Sequence, residues 1–294
     1  MTKWIAGIFL LSILVAAGFY LLGSSKESPR YVACYAANPG GAFRVIGRAL
    51  TEVGDSIAGQ GSFVAGVKNY PVMAVKMGKD VESVVTVMPL ADADSVIVEW
   101  RTGDVVENAR EVEGHMKAVL ERLRPMIEDE RYIYGMSIGR ESTKDSLLVM
   151  SRDTLRQEPG VERIYKQMRV LEKFVVSAGL RVSNKPMLHV TGSRDGRWVM
   201  MMALPVEGAV RKEALPHDGG NGKPFYRRLV RGNFLVTEVK GGRAAVDNAY
   251  AQLRNYISDH HMTTVAIPYE VLMTDRREVK DTNMWVSRVY QPVN

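Results

Sequence analysis

The chain has 294 residues, of which 46% are hydrophobic and 24% charged. This balance indicates a folded globular protein with enough residues for two ordinary domains. The formal charge of +6 is mildly basic, but no segment combines clustered lysine and arginine with aromatic residues, so we expect no nucleic-acid partner. The single cysteine, Cys34, excludes an intramolecular disulfide.

The first element is an uncharged apolar run, Ile5–Leu22. As a helix it would be about 27 Å long, close to the thickness of a bilayer core. Trp4 and Tyr20 stand near its two ends, where amphipathic rings prefer the membrane interface. The run predicts an uncleaved transmembrane anchor. The alternative is a cleaved signal peptide, which usually has a shorter apolar run and a clearer cleavage site.

The anchor is followed by Ser24–Arg30, a short polar segment that we interpret as a tether. Lys3 precedes the apolar run, and Lys26 and Arg30 follow it, so the positive-inside rule is nearly balanced. Because a very short leading segment usually stays inside, we predict a single-pass membrane protein. Its globular part is then expected to be extracytoplasmic, that is, periplasmic.

Beyond the tether the chain repeats a pattern of one helix followed by apolar strands that close on a proline. The helices are predicted at Gly41–Ile57, Val161–Ser177 and Ala244–Ser258. The strand pairs that follow them are predicted at Phe63–Leu90, Arg181–Val206 and Thr263–Val293. A fourth copy is predicted from Ser95, with a strand Gly103–Asn108, a helix Val112–Met126 and a strand Arg131–Met136.

Each repeat is therefore a β-α-β-β unit, and the predicted fold class is α+β. We expect two tandem domains, each an antiparallel sheet of two such units with two helices. The predicted boundaries are 1–30 for the anchor and tether, 31–155 for the first domain and 156–294 for the second. The run Asp145–Leu155 could end the second unit or begin the third. The glycine-rich segment Leu215–Pro224 is predicted as a flexible loop and not a phosphate cradle, because no strand precedes it at Walker spacing.

The most informative strand is near the C-terminus and contains one carboxylate. Five apolar or aromatic residues alternate along one face: Val265, Ile267, Tyr269, Val271 and Met273. Glu270 lies on the other face, where a buried charge is costly unless it is compensated. Either Glu270 pairs with a basic side chain, or it faces a cleft in which a ligand supplies the positive charge.

The surrounding motifs resemble a known family. A strand and glycine turn, Gly232–Gly242, precede an amphipathic helix, and Pro268-Tyr269-Glu270-Val271 is followed by a polar turn and the closing Tyr290-Gln291-Pro292-Val293. Over Leu229–Val293 this order resembles the gyrase-inhibitor-like effector-binding domain, a SOUL-like fold that is also the ligand module of AraC- and MerR-type multidrug regulators. The resemblance implies that Glu270 sits in a central cleft and meets cationic aromatic ligands.

The same resemblance implies that residues 31–155 form a degenerate copy. In our alignment of the repeats, Tyr134-Gly135 stands where the C-terminal copy has Tyr269-Glu270, so the first copy lacks the carboxylate. A structural or partner-binding role is therefore predicted for it.

The candidate ligand-binding residues are Glu270, Tyr290, Tyr269 and Trp198. A cation over the ring of Tyr290 would be favourable by about 0.5–2 kcal/mol, and the run Met200–Met202 could line an adaptable pocket. The alternatives are core packing for Tyr290 and the methionines. For Glu270, the alternative is an ion pair with one of the arginines Arg227, Arg228, Arg231 and Arg288.

The sequence contains no nucleophile elbow, paired carboxylates or dinucleotide fingerprint, so no catalytic residue or cofactor is predicted. His260-His261 lacks a second pair of ligands at metal spacing, so we expect no metal. The predicted function is a membrane-anchored sensor or scavenger that binds a lipophilic cation through Glu270. Two alternatives remain: a membrane-tethered adaptor for an unknown protein, and, by analogy with relatives of this fold, a hydrolase of electrophilic small molecules with Glu270 as its base.

Overall fold

The computed structural model describes residues 28–52, 55–65, 68–77, 81–90, 95–103, 108–143, 146–193, 195–208, 221–229 and 231–294. The chain forms two compact units, which divide after Asp129. The division falls earlier than the predicted boundary at residue 155. The reason is that the runs 139–143 and 146–155 both pair with strands of the second unit.

The first unit is a five-stranded antiparallel sheet with two helices. Its strands are β1 (Arg30–Tyr35), β2 (Ser56–Ala65), β3 (Lys68–Met77), β4 (Val81–Pro89) and β5 (Val96–Thr102), arranged in the order β1-β5-β4-β3-β2. Helix α1 (Pro39–Glu52) connects β1 to β2, and helix α2 (Ala109–Ile127) follows β5.

Both helices have the spacing of buried residues that an amphipathic helix needs. On α1 the buried apolar side chains are Ala42, Val45, Ile46, Ala49 and Leu50, and on α2 they are Met116, Val119, Leu120, Leu123 and Ile127. The chain enters α1 through Asn38, whose side-chain oxygen accepts a hydrogen bond of 2.6 Å from the Gly41 N–H. In the sheet, the fully buried Trp100 donates its indole N–H to Ser83 Oγ at 2.9 Å.

The first unit does not have the predicted topology of two β-α-β-β units. Strands β2 to β5 form one continuous meander, and β5, which the prediction missed, pairs with both β1 and β4. The predicted strand Arg131–Met136 is instead a short helix, α3 (Glu130–Tyr134), followed by Gly135 with a φ of 68°. Tyr134-Gly135 is therefore not a strand counterpart of Tyr269-Glu270, and the predicted degenerate copy is corrected.

The second unit contains α3, two longer helices, α4 (Val161–Ser177) and α5 (Arg243–Asp259), and a 3-10 turn at Thr282–Met284. Helix α4 has the predicted bounds. The strands are β6 (Gly139–Thr143), β7 (Ser146–Leu155), β8 (Arg181–Val182), β9 (Met187–Gly192), β10 (Trp198–Glu207), β11 (Phe225–Leu229), β12 (Gly232–Lys240), β13 (Tyr269–Leu272) and β14 (Val286–Val293).

These strands form a nine-stranded sheet in the order β11-β7-β10-β9-β13-β14-β12-β6, with β8 beside β10. Two β-α-β-β units are visible in it, β7-α4-β9-β10 and β12-α5-β13-β14, and they meet where β9 pairs with β13. The predicted repeat is confirmed for this unit, and Asp145–Leu155 belongs to its first half as β7. Each β-α-β-β unit is preceded in the chain by one further strand: β6 comes before β7, and β11 comes before β12. These two strands are exchanged, because β6 pairs with β12 of the second unit of the repeat and β11 pairs with β7 of the first.

Alternation along the strands gives the sheet two different apolar faces. On the helix-side face, a core joins α4 to sheet residues that include Val149, Leu188, Met200, Met202 and Leu272. On the opposite face lies a smaller buried cluster, which we call the cleft floor: Leu148, Met150, Met187, Ala203 and Phe225. Glycine turns matter at one place here: Gly241, with a φ of 135°, links β12 to α5, where an added Cβ would lie 2.9 Å from Ala245 Cβ.

No helix within the described ranges is long and apolar enough to cross a bilayer. This finding stands against the predicted single-pass membrane localisation, which we do not retain. The predicted span, Ile5–Leu22, lies outside the described residues, as does most of the predicted tether. Of that tether, Arg30 begins β1.

Candidate functional site

The candidate site is the cleft over the face of the second sheet that the helices leave uncovered. Around the buried cleft floor, Met201, Leu229, Tyr269 and Val271 pack as partly buried residues. The strand register explains this grouping, because residues that pair directly across two strands share a face of the sheet. The direct pairs here are Tyr269 with Tyr290, Val271 with Met187, and Ala203 with Met150.

The cleft contains two adjoining cavities. The first has a volume of about 800 Å³ and lies over the cleft floor, with Val265, Ala266 and Ile267 along one side. The second, of about 540 Å³, lies toward Glu141 and Tyr290. Both are lined by Leu148, Met187, Leu229 and Tyr269, so they are two lobes of one cleft. Volumes of this size are typical of small-molecule sites.

Two tyrosines form an aromatic wall in this cleft. The rings of Tyr269 and Tyr290 stack with centroids 5.2 Å apart and planes within 6° of parallel. Phe234 meets both rings edge-on, at 6.1 and 6.2 Å. Burial raises the pKa of both tyrosines above the ordinary value of 10.0, so both are neutral near pH 7. This arrangement offers a flat apolar surface with two hydroxyl groups.

The polar side of the aromatic wall is already paired. Arg288 forms an ion pair with Glu141 and lies over the Tyr290 ring, 5.5 Å from its centroid. The Tyr290 hydroxyl also donates to Glu141, at a long 3.4 Å. Glu141 comes from β6 and Arg288 from β14, so the exchanged strand is what brings the carboxylate here.

Glu270 is not part of this cleft. It lies on the helix-side face, only 3% exposed, and its carboxylate accepts hydrogen bonds from Arg276 at 2.5 Å and from Ser287 Oγ at 2.8 Å. Arg276 is 8% exposed and also lies over the Trp285 ring, 4.9 Å from its centroid. Of the two predicted alternatives, the structure has the ion pair, but with Arg276 in place of the four predicted arginines.

The other predicted residues divide between the two faces. Tyr269 and Tyr290 come together in the cleft, as described above. Trp198 instead packs against the helix-side core, with its ring under Gly192. Within the methionine run, Met201 faces the cleft floor, whereas Met200 and Met202 belong to the helix-side core.

Several cleft residues were missed from the sequence because strands β6 and β11 were not predicted. Strand β11 contributes Phe225 and Arg227, of which Arg227 was predicted only as a possible partner of Glu270, and β6 contributes Glu141. His189 on β9 was also missed. It lines the first cavity, its Nδ1 atom has no hydrogen-bond partner among the described residues, and burial lowers its pKa below 6.5. It is therefore a neutral hydrogen-bonding group in an apolar wall.

No group of three or more His, Cys, Asp or Glu side chains that could hold a metal ion occurs in the described parts of the chain. The His260-His261 pair has a structural setting. His260 stacks on Tyr256, with ring centroids 4.1 Å apart, and lies 3.6 Å from a Glu130 oxygen. His261 adopts a φ of 52° just after α5.

No protein-family model matches the chain, and no curated protein matches it. Similar solved structures include the C-terminal domain of EcmrR, with 14% identity, a TM-score of 0.43, and coverage of 54% of this chain and 98% of that chain. SAV2435 bound to tetraphenylphosphonium has 19% identity and a TM-score of 0.35, and the match covers 54% of this chain and 94% of that chain. A hydrolase from Listeria innocua has 11% identity and a TM-score of 0.40, and the match covers 54% of this chain and 92% of that chain.

All three TM-scores are below 0.5, and the predicted resemblance to effector-binding domains stays a prediction. At such identities and TM-scores these structures carry no argument about what this chain binds or does. The functional proposal therefore rests on the geometry of the cleft.

Proposed function

We propose that the second unit is a small-molecule-binding module whose ligand lies in the cleft. The observation that carries the proposal is an apolar floor beneath a cavity of about 800 Å³, with a stacked tyrosine pair at its boundary with the second lobe. Such a concave, mostly apolar surface with a few polar groups is the usual form of a ligand site. The proposal keeps the predicted binding function and moves its residues from Glu270 to the cleft floor and the tyrosines.

Three features support an elongated apolar ligand. The cleft floor contributes methionines, which adapt to ligands of different shapes. Val265 and Ile267 are about half exposed, at 52% and 50%, and both line the first cavity, so a ligand would bury them. The tyrosine pair continues the apolar surface into the second lobe.

The alternatives predicted from the sequence are less well supported. A hydrolase that uses Glu270 as its base needs that carboxylate in the cleft, but it is buried against Arg276. A lipophilic cation bound through Glu270 meets the same difficulty, because Arg276 already compensates the charge. The adaptor alternative and the expected absence of a nucleic-acid partner stay predictions.

The experiment is a titration of the full chain with a neutral apolar fluorophore, N-phenyl-1-naphthylamine, whose emission increases when it leaves water. We expect saturable binding to the wild type. The substitution Met201→Trp should fill part of the first cavity and weaken binding by about tenfold or more, which is about 1.4 kcal/mol. The control is Met284→Trp, because Met284 is exposed in the same unit and lines neither cavity.

Two results would contradict the proposal. One is the absence of saturable binding to the wild type. The other is equal weakening by Met201→Trp and Met284→Trp, because the fluorophore would then bind outside the cleft.

A further inference from the structure

We propose that the cleft holds an amphiphile with an uncharged, hydroxyl-rich headgroup: the apolar body of the ligand lies on the cleft floor, and the headgroup lies in the second lobe. Alkyl and aryl glycosides have this chemistry. The inference rests on the proposed function and adds to it the nature of the polar end of the ligand.

The two lobes of the cleft differ in their lining. Apolar and aromatic side chains form most of the lining of the first cavity, which lies over the buried cleft floor. The second lobe has a rim of hydroxyl, amide and charged side chains: Glu141, Thr143, Ser183, Asn184, Lys185 and Glu207. A ligand that fills both lobes therefore needs an apolar part and a polar part joined end to end.

The charges around the second lobe cancel. Its described lining contains two carboxylates, Glu141 and Glu207, and two basic side chains, Lys185 and Arg288. Glu141 and Arg288 pair with each other. A headgroup of either charge would lose water there without meeting an excess of the opposite charge, which is unfavourable. An uncharged headgroup has a smaller cost of leaving water.

The arginines beside the first cavity do not change this balance. Arg228 pairs with Leu147, on the helix-side face, and both Arg228 and Arg231 have interaction partners within the protein. Arg227 lies on the cleft face, but its side chain is exposed. Because water and salt weaken a single exposed charge, Arg227 contributes little to the choice of ligand.

The Tyr269 hydroxyl is a hydrogen-bonding group that the protein leaves available. It makes no hydrogen bond within the described residues, and it is not sealed inside the protein. Burial, and after it the charges of Tyr290 and Glu141, raises the pKa of Tyr269, so the hydroxyl is protonated and close enough to Glu141 to be affected by its charge. Since Glu141 lines the second lobe, this hydroxyl can donate to, or accept from, a headgroup there.

The loop between β8 and β9 adds two more such groups to the rim of the second lobe. Ser183 is exposed, and its backbone N–H anchors the loop by donating to the Pro205 carbonyl at 2.9 Å. The Asn184 side-chain oxygen accepts from the Lys185 N–H at 2.7 Å, which leaves the side-chain amide to donate to a ligand. Because donors and acceptors occur together, this lobe matches hydroxyl groups, which do both.

The test compares four amphiphiles that share an octyl chain and differ in headgroup: octyl glucoside, octyl sulfate, octyltrimethylammonium and octylphosphocholine. Each is used to displace N-phenyl-1-naphthylamine from the full chain, at concentrations below those at which micelles form. We expect octyl glucoside to bind more tightly than each of the others by about fivefold or more, because each hydrogen bond changes affinity by about two- to tenfold. Its affinity should depend little on salt, because it carries no charge.

A set of matched variants shows whether the second lobe holds the headgroup. Tyr269→Phe removes the available hydroxyl and should weaken octyl glucoside binding by about two- to tenfold, while binding of N-phenyl-1-naphthylamine should not change. Asn184→Ala should give a loss of similar size. Tyr226→Phe is the control, because it removes the same hydroxyl from a side chain that packs against the helix-side core.

The outcomes separate this inference from the proposed function. Equal affinity for the four amphiphiles, tightest binding of a charged or zwitterionic one, or failure of all four to displace the fluorophore overturns the uncharged headgroup while the cleft remains a binding site. Equal loss of octyl glucoside binding in Tyr269→Phe and Tyr226→Phe, or no loss in either, overturns the placement of the headgroup. If the fluorophore itself does not bind saturably, the proposed function fails. Thermal unfolding of each variant shows whether it is folded.

Discussion

Glu270 shows how a single side chain can be placed on the wrong side of a sheet. A strand alternates its faces with a period of two, so Tyr269 and Glu270 cannot both face one cleft. The sequence pattern already put them on opposite faces, and only the family resemblance put them in one site. The partner of Glu270 was not predictable in the same way, because Arg276 reaches it through the turn between β13 and β14.

At this scale we expect Glu270→Gln to destabilise the second unit strongly. The substitution would leave the buried Arg276 without its counter-charge, at a cost of about 3–5 kcal/mol. Urea unfolding measures the loss. The control is Glu141→Gln, which breaks a more exposed ion pair and should cost about 1 kcal/mol or less.

The same variants also test which carboxylate belongs to the cleft. In Glu270→Gln protein that is still folded, binding of the neutral fluorophore should be unchanged, because the side chain lies on the helix-side face. A stable Glu270→Gln variant that has lost fluorophore binding would contradict this account and restore Glu270 as a ligand residue.

Helices were the elements that the sequence predicted best. The bounds of α4 agree with the prediction, and α1, α2 and α5 differ from it by a few residues at their ends. Their apolar residues recur every three or four positions, and this periodicity depends on local sequence alone. The short edge strands β6 and β11 were missed because β6 is polar and mostly exposed, β11 has two exposed arginines among its five residues, and both are defined by pairing with distant strands.

Helix α4 has a buried residue and an exposed residue at neighbouring positions. Leu171 is fully buried in the helix-side core, and Val170 is 40% exposed. We expect Leu171→Ala to lower the free energy of unfolding by about 2–5 kcal/mol because it leaves a cavity. Val170→Ala, as the control, should change it by about 0.5 kcal/mol or less. Similar losses at the two positions would mean that this face of α4 is not the one packed on the sheet.

The β-α-β-β repeat read from the sequence predicted the topology of the second unit correctly and that of the first unit wrongly. Two β-α-β-β units do face each other across β9 and β13, but the exchange of β6 and β11 between them left no signal in the sequence. In the first unit, helices and proline-closed strands imitate the repeat, although β2 to β5 form a meander. Topology depends on which strands pair, and the hydrophobic periodicity of a strand does not indicate its partner.

Methionine methyl groups on both faces of the second sheet can report where a ligand binds. Met150, Met187 and Met201 lie on the cleft side, and Met168 and Met200 lie in the helix-side core. Protein labelled with carbon-13 at the methionine methyls is titrated with N-phenyl-1-naphthylamine, and the signals are assigned by Met→Leu substitutions. If the ligand lies in the cleft, the signals of Met150, Met187 and Met201 should shift and saturate together, and those of Met168 and Met200 should not shift. Saturable shifts at Met168 and Met200 with none at the three cleft methionines would contradict binding in the cleft.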